Sequence, residues 1–127
     1  MTSLRLLAIA SLLTLGACTT FMETQDASNP AVVSQATQIP FYTAENAGAA
    51  PPVKTILGPA AGNACKFLPT DPNGSETAAL EQLRLKALTM GANGLVGVRY
   101  EHSGTSFAKN CWQSVTATGT AVVFEHR

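Results

Sequence analysis

The stretch SETAALEQLRLKALTMGANGLVGVRYE, residues 75–101, decides the fold, because it encodes one helix followed by one strand. Ser75 is a residue type that caps helix N-termini, and Gly91 stands where helices commonly end in a left-handed residue. Between them, apolar side chains recur at helical spacing and give the segment one apolar face: Leu80, Leu83, Ala87 and Met90. The pattern predicts a helix from about residue 76 to residue 90.

A hairpin is predicted after this helix. Residues 95–101 are rich in β-branched side chains and predict a strand. Residues 102–110 are long enough for an exposed hairpin loop. Residues 111–118 and 120–124 predict a return strand that is broken or bulged at Gly119.

Two short strands are predicted before the helix. Residues 53–58 alternate apolar and polar side chains and predict the first strand. Residues 63–68, which contain Cys65, predict the second, with a glycine before this segment and a proline after it as boundaries. Residues 69–76 consist of turn-forming types. The fold class is therefore α+β: a small antiparallel sheet with one main helix packed on it.

The N-terminus has the pattern of an export signal. Arg5 precedes ten apolar residues, 6–15, a run that is too short to span a bilayer but suits a signal peptide. The sequence Leu-Gly-Ala-Cys at 15–18 resembles the bacterial lipobox, whose cysteine is acylated and becomes the first mature residue. We therefore predict lipidation of Cys18, and the absence of Asp beside it implies the outer membrane. An ordinary signal peptide with a free thiol nearby is the alternative.

Three segments follow from this interpretation. Residues 1–17 form the signal peptide, residues 18–38 the lipidated cysteine and a flexible tether, and residues 39–127 one domain in the periplasm. The tether is mostly small and polar, without a sustained period of 2 or 3.6. The alternative is that apolar side chains of this segment pack on the domain: Phe21, Val32 and Val33.

The charge pattern gives no sign of a nucleic-acid partner. The whole chain has eight basic and eight acidic residues, and only Arg5 is lost with the signal peptide. The mature chain is thus close to neutral and has no basic run, whereas nucleic-acid binding relies on clustered Lys and Arg.

The two remaining cysteines predict a disulfide. Export places Cys65 and Cys111 where disulfides persist. A metal site or a catalytic thiol are the alternatives, but these cysteines and the histidines His102 and His126 are scattered, without a C-x-x-C spacing. No nucleophile, base and orienting group stand together, and no phosphate loop occurs. We expect no enzyme activity, no cofactor and no metal ligand set.

Two segments carry a resemblance to known families. MGANGLVGVRYE at 90–101 and VTATGTAVVF at 115–124 are similar to the YbjQ family of small α+β proteins, which are described as heavy-metal-binding domains. That resemblance implies self-association and a heavy-metal role, without ligands that can be placed on this chain. The apolar hairpin strands could form an oligomer seam or a core, and we expect a core.

With the lipobox, the chain also resembles the RcsF family of outer-membrane lipoproteins that sense envelope stress. FYTAEN at 41–46, the cysteine at 65, and Cys111 followed by Trp112 occur in the same order. The resemblance covers about residues 40–125. It implies that Cys65 and Cys111 form one of that family's two disulfides. The second is absent, since its positions hold Tyr100 and Ala117 here.

The resemblance also implies partners. In the RcsF family the tether associates with outer-membrane barrel proteins, and the domain signals to an inner-membrane protein. We therefore expect a non-enzymatic outer-membrane lipoprotein that acts by protein contacts in envelope stress sensing, through loops at 70–75 and 102–110. The alternative is a periplasmic metal-binding or oligomeric module of YbjQ type.

Overall fold

A three-stranded antiparallel sheet with one long helix on it forms the centre of the protein. The computed structural model describes residues 27–68, 70, 74–105 and 111–125. Within them, the order is α1 (Pro30–Thr37), a short 3-10 helix (Ala47–Ala49), β1 (Val53–Lys66), α2 (Glu76–Thr89), β2 (Gly94–Ser103) and β3 (Gln113–Phe124). Strand β3 lies between β1 and β2 and is antiparallel to both. The predicted α+β class is confirmed.

Helix α2 begins and ends as predicted. The Ser75 hydroxyl accepts a hydrogen bond from the Ala78 amide at 3.1 Å, and Gly91 has a φ of +84° after the last turn. Three of the four predicted apolar-face residues are buried, and Met90 packs half-buried against them. This face covers the sheet residues of the main core: Ala60, Leu95, Val98, Val115, Ala117 and Ala121. The hairpin residues thus form a core, as expected.

The two short strands predicted at 53–58 and 63–68 are one strand, and their separation was wrong. The intervening Pro-Ala-Ala-Gly sequence is typical of a turn, yet Ala60 and Gly62 lie against α2, where larger side chains would not fit. The pairing with β3 shifts register near Gly58, which has a φ of +131°. Small residues here mark close packing rather than a chain reversal.

The predicted interruption at Gly119 is also wrong, because β3 runs unbroken. The irregularity lies opposite, in β2, where the register shifts between Val96 and Arg99 and Gly97 has a φ of +64°. A Cβ on Gly119 would lie 3.1 Å from a methyl group of Val98. The glycine in β3 therefore makes room for the bulge in its neighbour. Strand β2 also extends to Ser103, so residues 102 and 103 are not loop as predicted.

Part of the predicted tether is helical. The Asn29 side chain accepts a hydrogen bond from the Ala31 amide at 3.0 Å, Pro30 occupies the first turn, and α1 packs on α2. Val32 and Val33 are half-buried, as the alternative interpretation anticipated, while Phe21 lies outside the described residues. An eight-residue helix is too short to be stable alone, so its contact with α2 stabilises it.

The chain after α1 adds a short segment to the edge of β2. The Leu95 amide donates to the Pro40 carbonyl at 3.0 Å, and the Tyr42 amide donates to the Leu95 carbonyl at 2.9 Å. The Arg84 side chain of α2 donates to the Ile39 carbonyl at 3.0 Å. These bonds fix the entry of the chain into the domain. No helix within the described ranges is long and apolar enough to cross a membrane.

We predict that Gly62→Ala lowers the free energy of unfolding by about 3 kcal/mol. A Cβ there would overlap the backbone amide of Leu83 and lie 2.5 Å from the Ala79 carbonyl oxygen, so α2 would have to move. Urea unfolding monitored by circular dichroism measures the change. Gly48→Ala is the control, since no atom lies within 4 Å of its added Cβ. Equal unfolding midpoints for the two variants would contradict the prediction.

Candidate functional site

One end of the sheet brings most of the chemically distinctive side chains together, and we call it the disulfide end. It comprises the last residues of β1 and β2, the first residues of β3, and Cys111 with Trp112. Cys65 pairs with Ser114 in the sheet and is bonded to Cys111 through a disulfide with a Cα–Cα distance of 5.7 Å. This confirms the predicted pairing. The bond joins positions 46 apart and closes the long loop that contains α2 and β2.

The disulfide also fixes the residues that follow each cysteine. The Trp112 amide donates a hydrogen bond to the Lys66 carbonyl at 2.7 Å, while Cys111 itself is buried. The Thr105 hydroxyl, from the segment after β2, donates to the Trp112 carbonyl at 3.2 Å. Three separate segments are thereby held together at this end.

An open cavity of about 560 Å³ lies between these segments. Its lining combines one cationic side chain, one imidazole and one indole with polar backbone: Lys66, His102, Ser103, Gly104, Thr105, Trp112 and Gln113. Polar donors next to an aromatic wall can hold a segment that carries both an acceptor group and an apolar side chain. The cavity is therefore a candidate binding site for such a segment.

A polar pair connects this end with the start of α2. Nε2 of His102 lies 2.9 Å from Oε1 of Glu76, and both side chains are exposed. The carboxylate can only accept, so Nε2 carries the hydrogen and Nδ1 is left for another contact. Such exposed pairs stabilise folded proteins by less than about 1 kcal/mol. The pair orients His102 at the cavity rather than holding the fold together.

The same carboxylate acts on a tyrosine of β2. Partial burial, and then the negative charge of Glu76, raise the pKa of the Tyr100 hydroxyl, while Arg84 acts in the opposite direction. A raised pKa means that folding favours the neutral phenol. The stability gained from it is full below the ordinary value of 10.0 and is lost as the pH rises from there through the folded-state value. Ionisation of Tyr100 at high pH therefore makes the fold less stable than it is at neutral pH.

The comparison with family models decides the family. The model YbjQ_1, described as "Putative heavy-metal-binding", matches residues 54–125, which is more than half of the chain. The chain belongs to the YbjQ family. No curated protein matches it significantly. The matched residues of this YbjQ domain begin in β1 and end just after β3, so they contain the whole sheet, α2 and the disulfide.

The family description requires a test of whether this YbjQ domain offers metal ligands. Within residues 27–68, 74–105 and 111–125, no three His, Cys, Asp or Glu side chains stand close enough to hold one ion. Cys65 and Cys111 are bonded to each other, which removes the thiolates that heavy metals prefer. His102 and Glu76 supply two ligands at most. The oxidised protein therefore does not fit a heavy-metal centre in its described part.

Sequence reasoning identified part of this site and missed part of it. It identified the bridge between Cys65 and Cys111, whereas Cys18 lies outside the described residues and its lipidation stays a prediction. It assigned no role to Lys66 or Trp112 in binding. The positions of Lys66 and Trp112 could have indicated that they lie close together. Each follows a cysteine of the predicted bridge, and a disulfide brings the neighbours of its cysteines together.

We predict that Cys65→Ser exposes one new thiol, at Cys111, and lowers the free energy of unfolding by about 4 kcal/mol, because the closed loop is lost from the unfolded state. Alkylation under denaturing conditions without reductant, followed by peptide mapping, locates the thiol. The control is Cys65→Ser with Cys111→Ser, which should lose similar stability without any labelled Cys111. An alkylated Cys111 in the unchanged protein would contradict the disulfide.

Proposed function

We propose that this YbjQ-family chain is an outer-membrane lipoprotein of RcsF type. In this proposal Cys18 carries the lipid, the domain lies in the periplasm, and the protein acts without catalysis, by protein contacts in envelope stress sensing. An outer-membrane barrel protein and an inner-membrane signalling protein are the partners that the RcsF resemblance implies.

The use of the three cysteines supports this proposal most directly. The bond between Cys65 and Cys111 accounts for two of them, so Cys18 is the one left for another use. It directly follows the apolar run and small residues of a lipoprotein signal. A disulfide within a domain is typical of exported proteins. The bond and the signal both support the proposal that the chain leaves the cytoplasm.

The disulfide end provides the surface for a protein contact. Of the predicted partner loops, 70–75 and 102–110, the described residues 102–105 line the cavity at this end. The disulfide and the bonds of Trp112 hold the cavity walls in place before a partner arrives. Such preorganisation reduces the entropy lost on binding. The site therefore suits recognition of a protruding segment of a partner.

Photo-crosslinking in cells tests the proposal. With a photo-reactive amino acid at position 105, we expect crosslinks to one or a few envelope proteins. With the same group at position 81, on an exposed part of α2, we expect none of these products. The substitution Cys18→Ala should release the domain from the membrane fraction and weaken the crosslinks.

The mass of the mature chain, measured in the same preparation, reports the lipid on Cys18. The proposal fails if that mass lacks lipid and fractionation is unchanged by Cys18→Ala. It also fails if positions 105 and 81 capture the same proteins, because the contact would then not involve the disulfide end.

A second candidate function follows from the family itself, namely a periplasmic metal-binding or oligomeric module. Since the oxidised site does not fit a metal, this candidate requires reduction of the bridge. A dithiol reductant would supply two electrons and two protons, and the thiols of Cys65 and Cys111 would each lose a proton on binding a soft metal ion.

Calorimetric titration with zinc, copper and nickel separates the two candidates. A thiol-dependent site predicts one bound ion after reduction and a loss of affinity of at least about tenfold in Cys65→Ser. A matched variant with Lys54→Ser, far from the bridge on β1, should bind as the unchanged protein does. No heat in either the oxidised or the reduced state would remove the metal-binding candidate.

A further inference from the structure

Three large apolar side chains stand exposed at the disulfide end. Phe67 is 54% exposed, Leu68 is 58% exposed and Trp112 is 46% exposed. They come from two segments that lie side by side, since the Trp112 amide donates to the carbonyl of Lys66, the residue before Phe67. We call these three residues the apolar tip. Large apolar side chains that are exposed on adjacent segments indicate a contact with something apolar.

The composition of the apolar tip suits the surface of a lipid bilayer. Tryptophan favours the boundary between lipid and water, because its ring is apolar and its N–H is polar. Phenylalanine and leucine reach further into the acyl region, and a neighbouring lysine such as Lys66 can extend its ammonium group to the lipid headgroups. The disulfide holds the two segments together, so little order has to be gained on contact.

The length of the chain segment before the domain also supports the lipid bilayer as the surface that the apolar tip contacts. Because α1 packs on α2, the part of the chain that is held against the domain extends back to Pro30. The eleven residues from Thr19 to Asn29 connect it to Cys18, and in any conformation they span at most about 38 Å. A domain of this size has a diameter of about 30 Å. An anchored domain is therefore never more than about one diameter from the bilayer.

We propose that the apolar tip docks on the membrane leaflet to which the chain is anchored. This inference rests on the lipid anchor of the proposed function and adds a second, non-covalent contact. Confinement by the short connection raises the local concentration of lipid at the domain, so three side chains are sufficient for docking. Docked in this way, the disulfide end faces the leaflet.

The other exposed apolar residues provide a natural comparison. They lie at the opposite end of β1 and include no aromatic ring: Val53, Ile56 and Leu57. Ile56 is the most exposed of them, at 71%. It should therefore contribute nothing to docking.

Fluorescence of Trp112, the single tryptophan of the chain, tests the proposal. The protein is purified from membranes, its mass is measured, and it is placed in phosphatidylethanolamine–phosphatidylglycerol vesicles with or without lipids brominated in the upper acyl chain. If the mass shows no lipid, the Cys18 thiol is coupled to a maleimide lipid instead. The mass thus reports the anchor and the fluorescence reports docking, so that failure of one is distinguished from failure of the other.

We expect the brominated lipid to reduce Trp112 emission about twofold. Phe67→Ser with Leu68→Ser should abolish the reduction, whereas Ile56→Ser should leave it unchanged. Circular dichroism verifies that each variant is folded. Equal emission in brominated and plain vesicles would overturn the proposal and indicate that a protein covers the apolar tip. Equal loss of quenching in Ile56→Ser would overturn it as well.

Discussion

The close approach of α2 to β1 at Gly62 is the packing contact on which the rest of the structure depends. The helix backbone at Ala79 and Leu83 occupies the space that a side chain at position 62 would fill. Only small residues on this part of the sheet permit such a close approach. Ala60 of β1 and Ala117 of β3, which pairs with Gly62, are two of them. Leucine side chains of the helix then fill the space around the contact, which gives the core its density.

This contact also determines where the functional groups lie. Because α2 crosses β1 at Gly62, its first turn reaches the disulfide end, and Glu76 arrives beside His102 of β2. Partial burial, together with the same carboxylate, raises the pKa of Tyr100, which lies two residues before His102 on β2. The bridge between Cys65 and Cys111 adds a covalent limit on the separation of β1 from the start of β3. Packing sets the cavity's position, and the disulfide keeps its walls together.

Local sequence signals were sufficient for α2, for the presence of a strand at β2 and for the bridge, because each depends on interactions within a short stretch or on a pair with one possible partner. Ser75 and Gly91 mark the two ends of the helix, because both are residue types that favour these positions. Local signals were not sufficient for β1, since Ala60 and Gly62 are small for a reason that only the position of the helix reveals.

Helix α1 and the cavity were missed for related reasons. The eight residues of α1 have little helical stability alone, and their contact with α2 supplies it. The cavity arises where the ends of three strands meet, and no single stretch contains it. A resemblance could imply the family, but the ligand set suggested by the family's description is not visible in either the sequence or the described structure.

The position of the apolar tip constrains which partner the domain can meet. Phe67 and Trp112 flank the loops proposed for protein contacts, so a docked domain holds those loops at the leaflet surface. A barrel protein in the same membrane can reach them there, because its ends lie at that surface.

A protein of the inner membrane faces the opposite side of a docked domain and gains access to the cavity only after the apolar tip leaves the lipid. If both proposals hold, lipid contact and inner-membrane contact compete for one surface, and a disturbance of the leaflet that weakens the lipid contact favours the protein contact. Under the proposed function, a response to envelope stress would follow from mass action between two occupants of the disulfide end, without a change in the fold.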